Sequence, residues 1–291
     1  MFTGSPPPTP ALTSTTVSTD LTKAKLKRQP GIQLPGLECK IVGLAVVSPD
    51  MLLVSNPKHC VLLLDCLKWE VVSEVQLQDT PWRQGFPPRI CMTDRDTAAV
   101  QVEYNKIHMV LVKDKTLTKV RKLRVSEEIF GLTSSRNSLV VAYSSQPWLE
   151  MISMEGNVLH QFDKSGKSQH FKSPLFMCTT PGGSVFIADY GTKTITKVDA
   201  QLNLLQTFTI PLLQGPRGIT AVTEDQILVC SRGNNSIVLL QPSTSTMTTL
   251  LGKDDGIESP FTLTYCPDLK KVYVVTAGRI DTIMVYQMSL T

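Results

Sequence analysis

Clustered cysteines are absent from this sequence. The seven present, Cys39, Cys60, Cys66, Cys91, Cys178, Cys230 and Cys266, are scattered, and no two are separated by only two residues. That spacing excludes zinc fingers, ribbons and RING modules, whose ligands come in such pairs. Most of the thiols sit in apolar, strand-like runs such as RICMT and QILVCS, where a free cysteine acts as a small hydrophobe. Long apolar runs are missing too. The nine residues between Lys40 and Asp50 fall well short of the roughly 18 that a membrane span needs. No charged segment followed by an apolar one opens the chain, so no secretory signal and a cytoplasmic location are expected. Charge of one sign is scarce: 29 Lys and Arg against 25 Asp and Glu leave +4, which by itself names neither a nucleic acid nor a membrane. No 12-residue stretch keeps the i, i+3, i+4, i+7 apolar pattern, so helices should be few. G-x-S-x-G, H-E-x-x-H and phosphate-cradling glycine loops are also missing.

What the chain does contain is repetition. Residues 1–20 hold nine Ser or Thr and four Pro, too little apolar surface to offset chain ordering, so residues 1–24 are expected to form a disordered tail or linker. Pro6, Pro7, Pro8 and Pro10 match a P-x-x-P ligand only formally. From residue 41 onward, short β runs alternate with turn residues. Six of them share one character: DMLLVSN, DTAAVQV, NSLVVAY, GSVFIAD, DQILVCS and KKVYVVT. Anchored on Val54, Val100, Val141, Ile187, Val229 and Val274, they recur every 41 to 46 residues. Each has an apolar run before it and another after it, and in the first five units a fourth run follows. Four strands per repeat, six times, predict an all-β, six-bladed β-propeller over residues 25–291. The sixth unit reaches the last residue before a fourth strand can form. An unpaired third strand there would expose a long edge, so the missing strand is expected from the amino end, within Lys25–Leu34.

The units lack the Gly-His and Trp-Asp pairs of WD repeats and the Gly-Gly of every Kelch blade. GSVFIADYGTKTITKVDAQLNLLQTF (183–208) and GPRGITAVTEDQILVCSRGNNSIVLLQP (215–242) resemble NHL repeats, the second with a Gly-Pro-Arg-Gly entry. IVGLAVVSPDMLLVSNPKHCVLLLD (41–65) and PPRICMTDRDTAAVQVEYNKIHMV (87–110) resemble early blades of the propellers that end tripartite-motif proteins, especially invertebrate ones. Asn56 departs from the usual Asp in blade one, and blade three diverges. The resemblance implies an NHL-type propeller that acts as the recognition end of a ubiquitin-ligase-type protein. The RING that would carry ligase activity requires zinc ligands this chain lacks.

Candidate chemistry is sparse. The inner-strand positions assigned from the repeat, Ala45, Cys91, Leu132, Cys178, Thr220 and Tyr265, offer no cage for a hard cation. His59, His108, His160 and His170 occupy non-equivalent positions. No enzyme, cofactor or metal is expected, and a metal-dependent propeller hydrolase is the weakest alternative. Binding residues are richer. The turns between second and third strands carry Lys58, Lys106, Lys193, Arg232 and Arg279, against the acids Glu103, Asp189 and Asp281. Tyr104, Tyr143, Trp148 and Tyr190 interleave, with Trp82 and Phe86 on a long link and Arg217 at the Gly-Pro-Arg-Gly entry. Arginine and aromatics are enriched at protein hot spots, and the same types serve single-stranded RNA. A protein partner bound on this face is the first expectation, RNA the second, and no membrane partner is expected. The basic run from Lys113 to Arg124 falls on an outermost strand, where lysines deter edge pairing.

Overall fold

The computed structural model describes residues 21–33, 40–56, 60–77, 88–165 and 169–290. Two short strands come first, β1 (Ala24–Arg28) and β2 (Ile32–Gln33). Five four-stranded antiparallel sheets follow in chain order. Blade one is β3 (Gly43–Ser48), β4 (Met51–Ser55), β5 (Cys60–Asp65) and β6 (Glu70–Gln76). Blade two is β7 (Arg89–Met92), β8 (Thr97–Glu103), β9 (Lys106–Lys113) and β10 (Thr116–Arg124). Blade three is β11 (Ile129–Ser135), β12 (Ser138–Tyr143), β13 (Leu149–Ser153) and β14 (Val158–Phe162). Blade four is β15 (Pro174–Thr179), β16 (Val185–Asp189), β17 (Thr194–Val198) and β18 (Leu204–Phe208). Blade five is β19 (Pro216–Thr223), β20 (Gln226–Ser231), β21 (Ser236–Gln241) and β22 (Thr246–Leu251).

The sixth blade is composite. Its chain-terminal strands β23 (Pro260–Cys266), β24 (Lys271–Thr276) and β25 (Arg279–Leu290) are completed by β1, in the order β1-β25-β24-β23. Ala24 faces Leu290 and Arg28 faces Tyr286, and β2 adds Ile32 opposite Ile283. The expected closure from the amino end is therefore present. The packed chain reaches back slightly further than the expected boundary, because Leu21 is fully buried against blades five and six. The rest of the expected tail lies outside the described residues.

The inner strands β3, β7, β11, β15, β19 and β23 neighbour one another in that order, and β23 returns to β3. Six apolar clusters fill the wedges between adjacent blades. Successive side chains of a strand point to opposite faces, so each middle strand feeds two wedges. On β4, Leu52 and Val54 pack toward blade six, while Met51 and Leu53 pack toward blade two. Burial on both faces explains why the six anchor runs are continuously apolar rather than alternating. All six anchors, Val54 through Val274, are fully buried. Outer strands face solvent, and Lys119, Arg121, Lys122 and Arg124 are exposed on β10, the edge of blade two.

One ion pair ties neighbouring blades on the far rim. Lys115, in the turn between β9 and β10, lies 2.9 Å from the buried carboxylate of Asp65 at the end of β5. That contact and the backbone N–H groups of Leu67 and Lys68 hold the Asp65 carboxyl down at about 2. Lys115 was grouped with the edge-strand cations, and it serves instead as a link between blades. Cys60, Cys66, Cys91, Cys178, Cys230 and Cys266 form no disulfides, and all but half-buried Cys91 are buried. Burial pushes the Cys66 and Cys91 thiols up to about 12.

Candidate functional site

Antiparallel pairing brings the start of each inner strand beside the end of the second strand of its blade. Pro216 faces Ser231, Pro174 faces Asp189, and Arg89 faces Gln101. The turns between second and third strands thus share one face with the interblade links, and backbone bonds fasten the two. Tyr190 N–H donates to Ser173 O (3.0 Å), Arg232 N–H to Gly215 O (3.3 Å), and Ala277 N–H to Ser259 O (2.9 Å).

Blade four shows why the repeat places an Asp at this point. Asp189 is fully buried, and its two oxygens accept from the backbone N–H groups of Lys172, Ser173, Gly191 and Thr192 at 2.7 to 3.0 Å. Its charge is committed to holding the link and the turn together, so Asp189 does not offset the cations of the face. In blade five Ser231 takes this place, accepting from Gln214 N–H and donating to Leu212 O. Asn56 in blade one accepts from Cys60 N–H through Oδ1 (3.2 Å).

The face cations stand as follows. Lys193 and Arg279 are exposed, and Lys106 and Arg232 are half-buried. Tyr104 (63% exposed) and Tyr190 (40%) present their rings to solvent. Lys58, Trp82 and Phe86 lie outside the described residues, and so does His59. Two of the expected face aromatics are corrected by their burial. Tyr143 and Trp148 are 0% and 1% exposed and stack on each other at 4.5 Å in the wedge between blades two and three. The Tyr143 hydroxyl donates to buried Glu150, which also accepts from Gln161 Nε2 at 2.8 Å. The exposed Lys164 ammonium lies 5.0 Å from the Trp148 ring centre. Tyr143 ends β12 where the smaller Asp189 ends β16 and Ser231 ends β20, and its ring sinks into the wedge with that of Trp148.

Toward the axis, cations and rings alternate. Arg217 at the start of β19 lies 4.4 Å from the Tyr190 ring centre and 5.5 Å from that of Phe261. Phe261 meets Phe176 edge-on at 5.6 Å, and the Arg89 guanidinium sits 4.1 Å over Phe176. The stack runs from the exposed face to the propeller axis. Its local backbone requires glycine at two positions. Gly215 adopts φ +61°, and a Cβ there would lie 2.9 Å from the Tyr190 ring; at Gly218 it would lie 2.6 Å from Thr262 Cα. The Gly-Pro-Arg-Gly entry thus brings Arg217 against the rings of Tyr190 and Phe261.

Arg89 ends the stack. It is 4% exposed, and its Nε donates to Phe130 O on blade three at 2.9 Å. Both Nη atoms are buried without a hydrogen-bond partner. They border an axial cavity of about 50 Å³ to which all six blades contribute, including Val42, Leu132, Phe176, Ile219 and Leu263. Burial, then the neighbouring Arg217 charge, lowers Arg89 to about 9, so it stays protonated at neutral pH. Arg217 is lowered by burial and by Arg232. Arg89 was not among the residues expected for the face, although the Pro88-Arg89 pair at the entry to β7 matches Pro216-Arg217 at the start of β19.

The axis itself is lined one residue away from most of the expected positions. Leu132 does border the cavity, but elsewhere Leu44, Ile90, Met177, Ile219 and Leu263 do so. Ala45 and Cys178 turn into the interblade wedges. A one-residue offset in a strand exchanges its faces. Among the described residues, no group of three His, Cys, Asp or Glu is placed to hold a metal ion, and no helix is long and apolar enough to cross a membrane.

No family model matches this chain. Among curated proteins it is similar to mouse E3 ubiquitin-protein ligase TRIM56, 22% identical over 244 residues that cover 83% of this chain and 32% of that protein. The chain thus spans about a third of the length of the curated relative it matches. Among solved structures it is similar to an inactive variant of virginiamycin B lyase from Staphylococcus aureus in complex with quinupristin (TM-score 0.63, 15% identity, 87% of this chain and 83% of that one). It is also similar to the WD40 β-propeller domain of Doa1 (TM-score 0.61, 10% identity, 90% and 97%). At these identities the structures share the β-propeller fold, which serves a lyase in one and a WD40 domain in another.

Proposed function

We propose that this propeller is a non-catalytic recognition module that binds a protein partner on the face carrying the second-to-third-strand turns. The observation that carries this reading is the exposed cation and aromatic set of that face: Tyr104, Tyr190, Lys193 and Arg279, with Arg232 and Arg217 beside them. Tyrosine supplies large contact area with few rotatable bonds lost, arginine supplies a planar fork of donors, and both are enriched at interface hot spots. The similarity to part of a tripartite-motif ligase supports the finer reading, the substrate-recognition end of a ubiquitin-ligase-type protein working in the cytoplasm. Lys58 and Lys106 complete the proposed contact set.

The test is co-purification of partners on immobilised wild-type propeller and on a variant with Tyr104, Tyr190, Lys193 and Arg279 replaced by alanine. Protein partners retained by the wild type after nuclease and lost by the variant support the reading. Controls at Lys119 and Arg121, on the outer strand, should bind as wild type does. If these controls abolish binding while the face variant keeps it, the face is wrong. The same cations support single-stranded RNA as the second reading. Five phosphate contacts by Lys58, Lys106, Lys193, Arg232 and Arg279 would then give a log–log salt slope of about −3.5, at roughly −0.7 per contact.

A further inference from the structure

The Arg89 guanidinium is a buried cation with only one of its five N–H donors paired. Nε is satisfied by Phe130 O, while the two Nη groups at the axial cavity have no partner. Among the described residues no carboxylate pairs with it, and the charge closest to it is another cation, Arg217. A buried charge left this way is costly unless something pairs with it. The rest of the cavity restricts what that can be. Its lining mixes apolar side chains, from Val42, Leu132, Phe176, Ile219 and Leu263, with Thr262 and other polar atoms, and about 50 Å³ accommodates only a few atoms. Two parallel N–H donors match the two oxygens of a planar carboxylate. A tetrahedral phosphate has two further oxygens that a single guanidinium fork does not reach.

We infer that the axial cavity is a carboxylate-binding site, with Arg89 as its bidentate donor, for a carboxylate on a short aliphatic stem. The Arg217 charge, stacked between Tyr190 and Phe261 nearby, makes the mouth attractive to an anion and leads it inward. A glutamate side chain or chain terminus of a bound protein and a free small carboxylic acid share this chemistry. The first source deepens the recognition function proposed above and rests on it; the site itself does not.

The probe is trifluoroacetate, followed by fluorine NMR line broadening on the whole chain. Saturable broadening that propionate reverses is expected for the wild type. Arg89→Met should weaken it about 10- to 100-fold, the range for losing charge-assisted hydrogen bonds. Arg89→Lys, which keeps the charge but loses the fork, guards against a misfolded Met variant and should weaken binding at least several-fold. Absence of saturable broadening in the wild type, equal binding by folded Arg89→Met, or displacement by inorganic phosphate as effective as by propionate would each overturn the assignment. A capped Gly-Glu-Gly peptide competing better than propionate identifies a protein source, and propionate competing better identifies a free acid. Neither outcome depends on the Tyr104, Tyr190, Lys193 and Arg279 variant, so the recognition reading can fail while this site stands.

Discussion

Removing the closing strand should destabilise the ring by a calculable amount. A truncation lacking residues 1–33 removes Leu21 and Ile32, both buried, and the half-buried Ala24 and Leu26. Full burial of a large aliphatic side chain contributes about 1.5–3 kcal/mol, so Leu21 and Ile32 together contribute about 3–6 kcal/mol. The five residue pairs of β1 with β25 and the bond from Gln29 N–H to Val285 O are lost as well. Water takes over those backbone groups on an exposed edge, so their net contribution is smaller, about 0.5–1.5 kcal/mol each. In a domain of this size 1 kcal/mol moves Tm by roughly 2–4 °C, and a fall of about 10 °C or more is expected. A control truncation of residues 1–20 removes none of these contacts and should melt with the full chain. Calorimetry of the three proteins measures the difference. A peptide of residues 21–33 added in trans should restore much of it by strand addition. If the two truncations melt together, β1 contributes nothing to closure and the reasoning fails.

Three further outcomes can be checked with the folded protein. Gly218→Ala forces a Cβ against the Thr262 backbone and should cost about 1–3 kcal/mol in urea melts, whereas Gly252→Ala, with nothing within 4 Å, should change stability by less than about 0.5 kcal/mol; equal effects would refute the close approach of β19 and β23. Trp148→Ala should cost about 3–5 kcal/mol of stability as a core truncation, and a variant of wild-type stability with weakened partner binding would return Trp148 to the face. Because the Asp65 carboxyl lies near 2 in the folded chain and at about 3.9 when unfolded, its stabilising contribution is complete above pH 4 and declines as pH falls toward 2. The stability gap between wild type and Lys115→Met should therefore narrow across that window, and a gap that widens on acidification would contradict the pairing.

The architecture was legible because propeller blades repeat one burial pattern. Continuous apolar runs at regular spacing marked the second strands, and the incomplete sixth unit pointed to β1. Side-chain direction was less legible. With both faces of every blade buried, alternation gives no signal for register, so nothing in the sequence separates Leu44 and Met177, which border the axial cavity, from Ala45 and Cys178, which pack sideways. Position in a turn was also a poor guide to exposure: Trp148 and Tyr143 sit at the ends of β13 and β12 and fold inward, while Tyr190, one residue beyond β16, stays out. Arg89 was hidden for a related reason. A lone arginine in an apolar strand looks like an irregularity until its equivalence to Arg217 is seen.

The partnership of β1 with β25 also governs the order of assembly. Arg28 and Arg279 are separated by about 250 residues, and at synthesis rates of about 5–20 residues per second the first strand waits on the order of 10–50 s for its partner. Throughout that interval Leu21 and Leu26 lack the wedge that later buries them. Lys23, Lys25, Lys27 and Arg28 surround them in the sequence, and such charges discourage an idle strand from pairing with another chain. Those four cations act as a guard during synthesis, and neutralising them should raise aggregation of the nascent protein.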